Sequence, residues 1–105
     1  MQAQIVYMTA SDLAEARRIG RALVEERLAA CVNIIDGMHA IYRWEGEVQE
    51  GAEVVMIAKT VASKVDPLVA RVKALHSYAC CCVLALPVVA GNPSFLDWIA
   101  AEVAP

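Results

Sequence analysis

Apolar residues recur along this chain in periods that predict five strands and three helices. Segments with β-branched residues or alternating apolar residues, separated by turn residues, predict strands at 3–10, 29–35, 39–46, 53–60 and 80–89. Between them, Leu13, Ala16, Ile19 and Leu23 share one face of a predicted first helix. A second helix is predicted to end at Leu75, and a third covers 93–103.

The predicted element order is β-α-β-β-β-α-β-α, which indicates an α+β fold. Its centre matches the ferredoxin-like β-α-β-β-α-β sandwich, with an extra strand in the central hairpin region and a short C-terminal helix. In that fold both helices cover one sheet face and leave the other open. The chain has no linker or internal repeat, so residues 1–105 are predicted to form a single domain.

The composition predicts a subunit that buries apolar surface against copies of itself. Apolar residues make up 59% of the chain, against roughly 45–50% in typical soluble domains. No apolar run approaches the roughly 20 residues of a membrane span, so we expect no membrane span. The surplus, together with the open sheet face, indicates a homo-oligomer.

The net charge and the first residues of the chain indicate which partners and which location to expect. A net charge of −3 disfavours nucleic-acid partners, because such proteins usually carry a basic patch. The sequence "MQAQIVYM" lacks the basic and apolar regions of a signal peptide, so a cytoplasmic location is expected. Without a Gly-rich phosphate loop or a nucleophile elbow, the chain is not expected to be an enzyme.

The sequence "HSYACCCV" raises three hypotheses for its three adjacent cysteines: a metal site, a redox site, or apolar packing. If a strand begins at Cys80, then Cys80 and Cys82 share one face and Cys81 points to the other. Thiolate, imidazole and thioether groups favour copper or zinc, so Cys82, Cys80, His76 and Met8 are candidate ligands for a metal ion. Alternatively, the cysteines pack as small apolar side chains in a core strand.

Several segments together resemble the CutA1 divalent-cation tolerance proteins, and they cover nearly the whole chain in order. They are "EERLAACVNI" (25–34), "IYRWEGEVQE" (41–50), "KT" (59–60), "HSY" (76–78) and "LALPVVAGNPSFLDWI" (84–99). The resemblance implies a homotrimer of ferredoxin-like protomers, similar in architecture to the PII signalling proteins. It also implies a link to tolerance of copper and other divalent cations.

The chain departs from the family pattern at the cysteines. The family sequence there usually resembles His-Pro/Ser-Tyr-Glu-x-Pro-Glu/Cys, whereas this chain has Ala79 for the acidic residue and Cys81 for the proline. We therefore expect a trimer that binds copper or another soft metal through Cys and His near a subunit cleft. The alternative is a PII-like signalling or scaffold module that binds a small molecule or a partner in that cleft.

Overall fold

Four strands and three α-helices make up the protein in a computed structural model that describes residues 2–105. In chain order they are β1 (Ala3–Ala10), α1 (Leu13–Glu25), β2 (Cys31–Trp44), β3 (Glu47–Val61), α2 (Val65–Leu75), β4 (Val83–Pro87) and α3 (Pro93–Val103). A short 3-10 turn, Ala62–Lys64, precedes α2.

The strands form one antiparallel sheet in the order β2-β3-β1-β4. Helices α1 and α2 pack on the same face of this sheet and enclose the main core. That core combines alternate residues of the two central strands with one stripe from each helix: Val6, Met8, Ala10, Val54, Met56, Ala58, Ala16, Ile19, Leu23, Leu68 and Val72. The predicted ferredoxin-like arrangement is therefore confirmed.

The predicted extra strand is wrong, because the predicted strands 29–35 and 39–46 both correspond to parts of one continuous strand, β2 (Cys31–Trp44). Its pairing with β3 shifts between Ile35 and Met38, so that two residues oppose one. Gly37 has φ +77° there, which a glycine adopts without strain. The Asp36-Gly37 pair lies between these two predicted strands and is typical of a turn in sequence, but in the protein it forms a β-bulge.

Strands β2 and β3 continue past the rest of the sheet as a two-stranded hairpin. The pairing of β1 with β3 ends at Val54, whereas β2 and β3 stay paired up to Trp44 and Glu47. The hairpin thus extends about 23 Å beyond the sheet at roughly 3.3 Å per residue. Glu45 and Gly46 both have positive φ, as in the type I′ turns that suit twisted hairpins.

The second sheet face is only partly covered by the chain itself. Helix α3 packs over one end of it through Ile99 and Val103, against Val61 and Ala30. Leu84 and other apolar side chains elsewhere on the strands stay exposed: Ile35, Ile41, Val48 and Leu86. Within residues 2–105, no helix is both long and apolar enough to cross a bilayer.

Candidate functional site

A cavity of about 510 Å³ lies where the hairpin passes the segment between α2 and β4. The hairpin supplies aromatic and charged walls, and the other segment supplies thiols. The lining residues are Thr9, Tyr42, Arg43, Trp44, Glu53, Tyr78, Ala79, Cys80 and Cys82. This cavity combines the chemistry that the sequence indicated, so we treat it as the candidate site.

The three cysteines precede strand β4 and do not lie within it, contrary to the prediction. The register that pairs Met8 with Val83 would next pair Thr9 with Cys82, but the ladder stops. The Thr9 carbonyl instead accepts a hydrogen bond from His76 Nε2 at 2.7 Å. A side chain thus takes the place of the strand bond, which leaves residues 80–82 in irregular backbone.

The thiols nevertheless separate into two environments. Cys80 is exposed and Cys82 is half-buried, and both line the cavity. Cys81 packs against the helix-side core instead. The predicted division is therefore observed, although its predicted basis, a strand beginning at Cys80, is wrong.

Burial and the carboxylate of Glu53 raise the pKa values of two side chains that line the cavity, Cys82 and Tyr78. Burial, followed by the nearby charge of Glu53 and by Cys81, raises the pKa of the Cys82 thiol. Burial and Glu53 likewise raise the pKa of Tyr78. Cys82 is therefore mainly a protonated thiol at neutral pH, and a ligand that needs its thiolate must displace a proton.

His76 is fully occupied by structural contacts. Its side chain is 0% exposed, its Nε2–H donates to the Thr9 carbonyl, and its Nδ1 accepts the Tyr78 backbone N–H at 3.0 Å. These bonds fit the neutral ring with the proton on Nε2. His76 thus holds β1 to the segment that leads into the cysteines, and neither ring nitrogen is free to bind a metal.

A buried carboxylate, Glu15, completes this clamp. It is 5% exposed and accepts hydrogen bonds from Ser11 N and Oγ and, at 2.8 Å, from the Ser77 backbone N–H. Burial alone would raise the pKa of Glu15, but these hydrogen bonds outweigh it and hold the pKa at about 2. The start of α1 is thereby tied to the residues just after α2.

The four predicted ligands do not form a single cluster. Met8 is 0% exposed and lies in the main core. Neither Met8 nor His76 lines the cavity. Within residues 2–105, no three His, Cys, Asp or Glu side chains lie close enough together to hold a metal ion. Only Cys80 and Cys82 remain together, and metal ligation by His76 or Met8 stays a prediction that these contacts do not support.

Truncation of His76 should therefore loosen the fold. His76→Ala leaves the Thr9 carbonyl and the Tyr78 N–H without partners, at an expected cost of about 1–3 kcal/mol in the free energy of unfolding. Urea denaturation of His76→Ala checks this, with His39→Ala, on the exposed face of β2, as the matched histidine control. Equal stability of the two variants would contradict the structural role.

Sequence reasoning missed Glu15 and Glu53 as members of this region. Glu15 looked like an ordinary acidic residue in the first turn of a helix, and its partner Ser77 is 62 residues away. Glu53 was predicted only as the first residue of the strand 53–60. No local pattern indicates either contact, because both depend on the packing of distant segments.

Fold and site together define the class: a small ferredoxin-like α+β protein with a thiol-lined cavity beside a long hairpin. The family model described as CutA1 divalent ion tolerance protein matches residues 4–102. This chain belongs to the CutA1 divalent ion tolerance family.

Relatives from distant organisms support this membership. The divalent-cation tolerance protein CutA of Thermus thermophilus is 48% identical over 96 residues, which cover 91% of this chain and 93% of that protein. Protein CutA of Homo sapiens is 43% identical over 89% of this chain, but this chain spans only 52% of that protein. The crystal structure of CutA from Xylella fastidiosa superposes with a TM-score of 0.96 at 36% identity, covering 99% of this chain and 100% of the other.

Proposed function

We propose that this protein is a homotrimer that binds copper or another soft metal ion at the thiol-lined cavity, as part of divalent-cation tolerance. The observation that carries the proposal is the pair of thiols, Cys80 and Cys82, open to one cavity. Family membership supports a relation to divalent cations. We further infer a binding protein, not an enzyme, that works in the cytoplasm.

The donor set decides which ions fit. Two thiolates suit a soft ion such as Cu(I), which thiolate ligands select. A structural zinc site needs four ligands, and residues 2–105 bring no three His, Cys, Asp or Glu donors together. A zinc site here would therefore need donors from a second copy of the chain, whereas copper needs only the thiol pair.

The protonation of Cys82 makes binding dependent on pH. A metal ion binds the thiolate, so the raised pKa of Cys82 puts the ion in competition with a proton. Affinity should therefore rise with pH until the pKa of Cys82 is passed. Glu53 opposes thiolate formation in the free protein but favours a cation in the same place.

Copper titration of thiol variants tests the proposal. Cys80→Ser and Cys82→Ser should each weaken Cu(I) binding by at least about tenfold, because each removes one of two thiolates. Cys81→Ser is the matched control and should bind like the unaltered protein, because its thiol faces the core. Binding is read by mass spectrometry and by protection of thiols from alkylation, with Zn(II) run in parallel.

The outcome separates the metal and packing hypotheses for the cysteines. Protection of Cys82 that does not depend on metal would mean that the cysteines are packing residues and that the metal proposal is wrong. The metal proposal is likewise wrong if Cys81→Ser weakens Cu(I) binding as much as the other two variants.

Exposed apolar surface supports the trimer. Ile41 is 70% exposed and Leu84 is 62% exposed, and further large apolar side chains accompany them on the hairpin and on β4. Such surface is expected to be buried between subunits. Light scattering should give three times the chain mass at micromolar concentration, and a monomer mass would refute the trimer.

A second candidate function rests on the cavity walls. Tyr42, Trp44 and Tyr78 give the cavity aromatic surface, and Arg43 and Glu53 give it polar anchors. Its volume lies within the range of about 300–1,000 Å³ typical of small-molecule sites. A PII-like module would then bind an organic ligand here, and ligand binding that persists in Cys80→Ser and Cys82→Ser would favour this function.

A further inference from the structure

Two of the three adjacent cysteines open onto the same cavity, and the residue between them faces away. Cys80 and Cys82 line that cavity, whereas Cys81 packs against the core. We propose that Cys80 and Cys82 form a reversible disulfide, so that this segment is a site of thiol oxidation. The disulfide needs no metal and therefore goes beyond the proposed function.

The backbone of this segment permits the bond. Residues two apart span at most about 6.6–7.2 Å between Cα atoms when the chain is fully extended. Disulfides usually join Cα atoms about 4.4–6.8 Å apart, so a modest bend is enough. Residues 77–80 bend, and residues 81–82 lie outside any strand, so no ladder hydrogen bond has to break.

Neighbouring cysteines are poorer partners. A bond between Cys81 and either neighbour would draw Cys81 out of its packing against the core. Adjacent residues also fit the geometry of a disulfide badly and store strain. Cys31 lies on β2 and pairs with Lys59 at the far end of the sheet, away from the cavity.

A small disulfide such as glutathione disulfide is a suitable oxidant. The exposed Cys80 thiolate attacks one sulfur of the oxidant, whose S–S bond breaks and releases one glutathione thiolate. The Cys82 thiolate then attacks the Cys80 sulfur of the mixed disulfide and releases the second glutathione thiolate. The protein loses two electrons and two protons, and the oxidant becomes two thiols.

The resulting ring is small, so the bond should be easy to reduce. Strained or exposed disulfides have more oxidising potentials and serve as labile or regulatory bonds. Oxidation would also remove both thiolates from the proposed copper site, a consequence that rests on the proposed function. The disulfide itself does not, and an experiment on metal-free protein keeps the two apart.

The test treats native, chelator-washed protein with glutathione disulfide, blocks the remaining thiols by alkylation and maps the peptides. Trypsin releases all three adjacent cysteines on one peptide, 74–105, because no Lys or Arg follows Lys73. In the oxidised protein, Cys80 and Cys82 of this peptide should have lost two hydrogen atoms relative to the reduced form. Only Cys81 should carry an alkyl group. Dithiothreitol should restore three alkylated cysteines.

Serine variants identify the partners. Cys81→Ser should oxidise within about twofold of the unaltered rate. Cys80→Ser and Cys82→Ser each lack one of the two sulfurs, so any internal disulfide in them must involve Cys81 and should form at least about tenfold more slowly. Stable glutathione on Cys80, three thiols still reactive after treatment, or loss of the disulfide in Cys81→Ser would each overturn the proposal. The unaltered protein and Cys81→Ser decide the question even if another variant fails to fold.

Discussion

Glu15→Gln should destabilise the fold of each chain by about 3 kcal/mol near pH 7. The carboxylate accepts hydrogen bonds from Ser11 and Ser77 while 5% exposed, and these hold its pKa at about 2, below the ordinary 4.5. Each pKa unit corresponds to about 1.4 kcal/mol, which gives the expected size. A glutamine would also place an NH₂ donor among groups that are themselves donors.

The loss should depend on pH in a definite direction. Because folding lowers the pKa of Glu15, its stabilisation is fully present above the unfolded value of 4.5 and is lost as the pH falls toward 2. The difference between the unaltered protein and Glu15→Gln should therefore shrink across that interval. Below it the carboxyl is protonated in both states, so the pH-dependent part of the difference disappears.

Glu25→Gln on the same helix is the matched control. Glu25 pairs with Arg21 at the surface, with both side chains largely exposed, so its loss should cost less than about 1 kcal/mol. Urea denaturation of both variants, at fixed protein concentration from neutral pH to pH 3, measures the difference. If Glu15→Gln and Glu25→Gln unfold at the same urea concentration, Glu15 is not a structural clamp.

Trp44→Ala should weaken the proposed trimer by about 3–5 kcal/mol, the usual cost of removing a buried aromatic side chain. Trp44 lies beside the hairpin turn and is 49% exposed in the isolated chain, next to the exposed Tyr42 and Val48. The hairpin extends past its own sheet, and its own chain covers these groups only in part. We therefore expect them to pack on a neighbouring subunit.

Sedimentation and thermal unfolding of Trp44→Ala measure this effect at several protein concentrations. The variant should dissociate at higher concentrations than the unaltered protein and melt at a lower temperature. Trp44→Phe keeps an aromatic ring and should retain most of the assembly, which separates lost packing from a damaged turn. An intact trimer with an unchanged melting temperature in Trp44→Ala would show that the hairpin does not hold subunits together.

The fold was largely predictable because its periodicities are local. Stripes such as Ile19 and Leu23 on α1 mark the helix face, and alternation marks the strands, so the element order already indicated the ferredoxin-like arrangement. The extra strand was wrong because the pair Asp36-Gly37 reads as a turn in the sequence. In the protein, Gly37 adopts its positive φ within a bulge instead of a turn. The bulge can be recognised only from the pairing of β2 with β3.

The site was predictable only in part, because its residue types are visible in the sequence but its geometry depends on contacts between distant segments. The thiol chemistry of Cys80 and Cys82 is visible in the sequence, but their backbone is set by His76 and the carbonyl of Thr9, 67 residues apart. Imidazole in the sequence suggests a ligand, whereas its burial and its two hydrogen bonds show a structural role. Such a role emerges only when distant segments pack together.

The part of the hairpin between Val54 and the turn at Glu45-Gly46 should be less ordered than the sheet in an isolated chain. A two-stranded ribbon without a third strand or a covering helix is marginally stable in water. In an isolated chain, its amide hydrogens would therefore exchange with solvent through local fraying. The amide hydrogens of β1 and of the central part of β3 would exchange only through global unfolding. In the proposed trimer, slow exchange at the hairpin would therefore report its contact with another subunit.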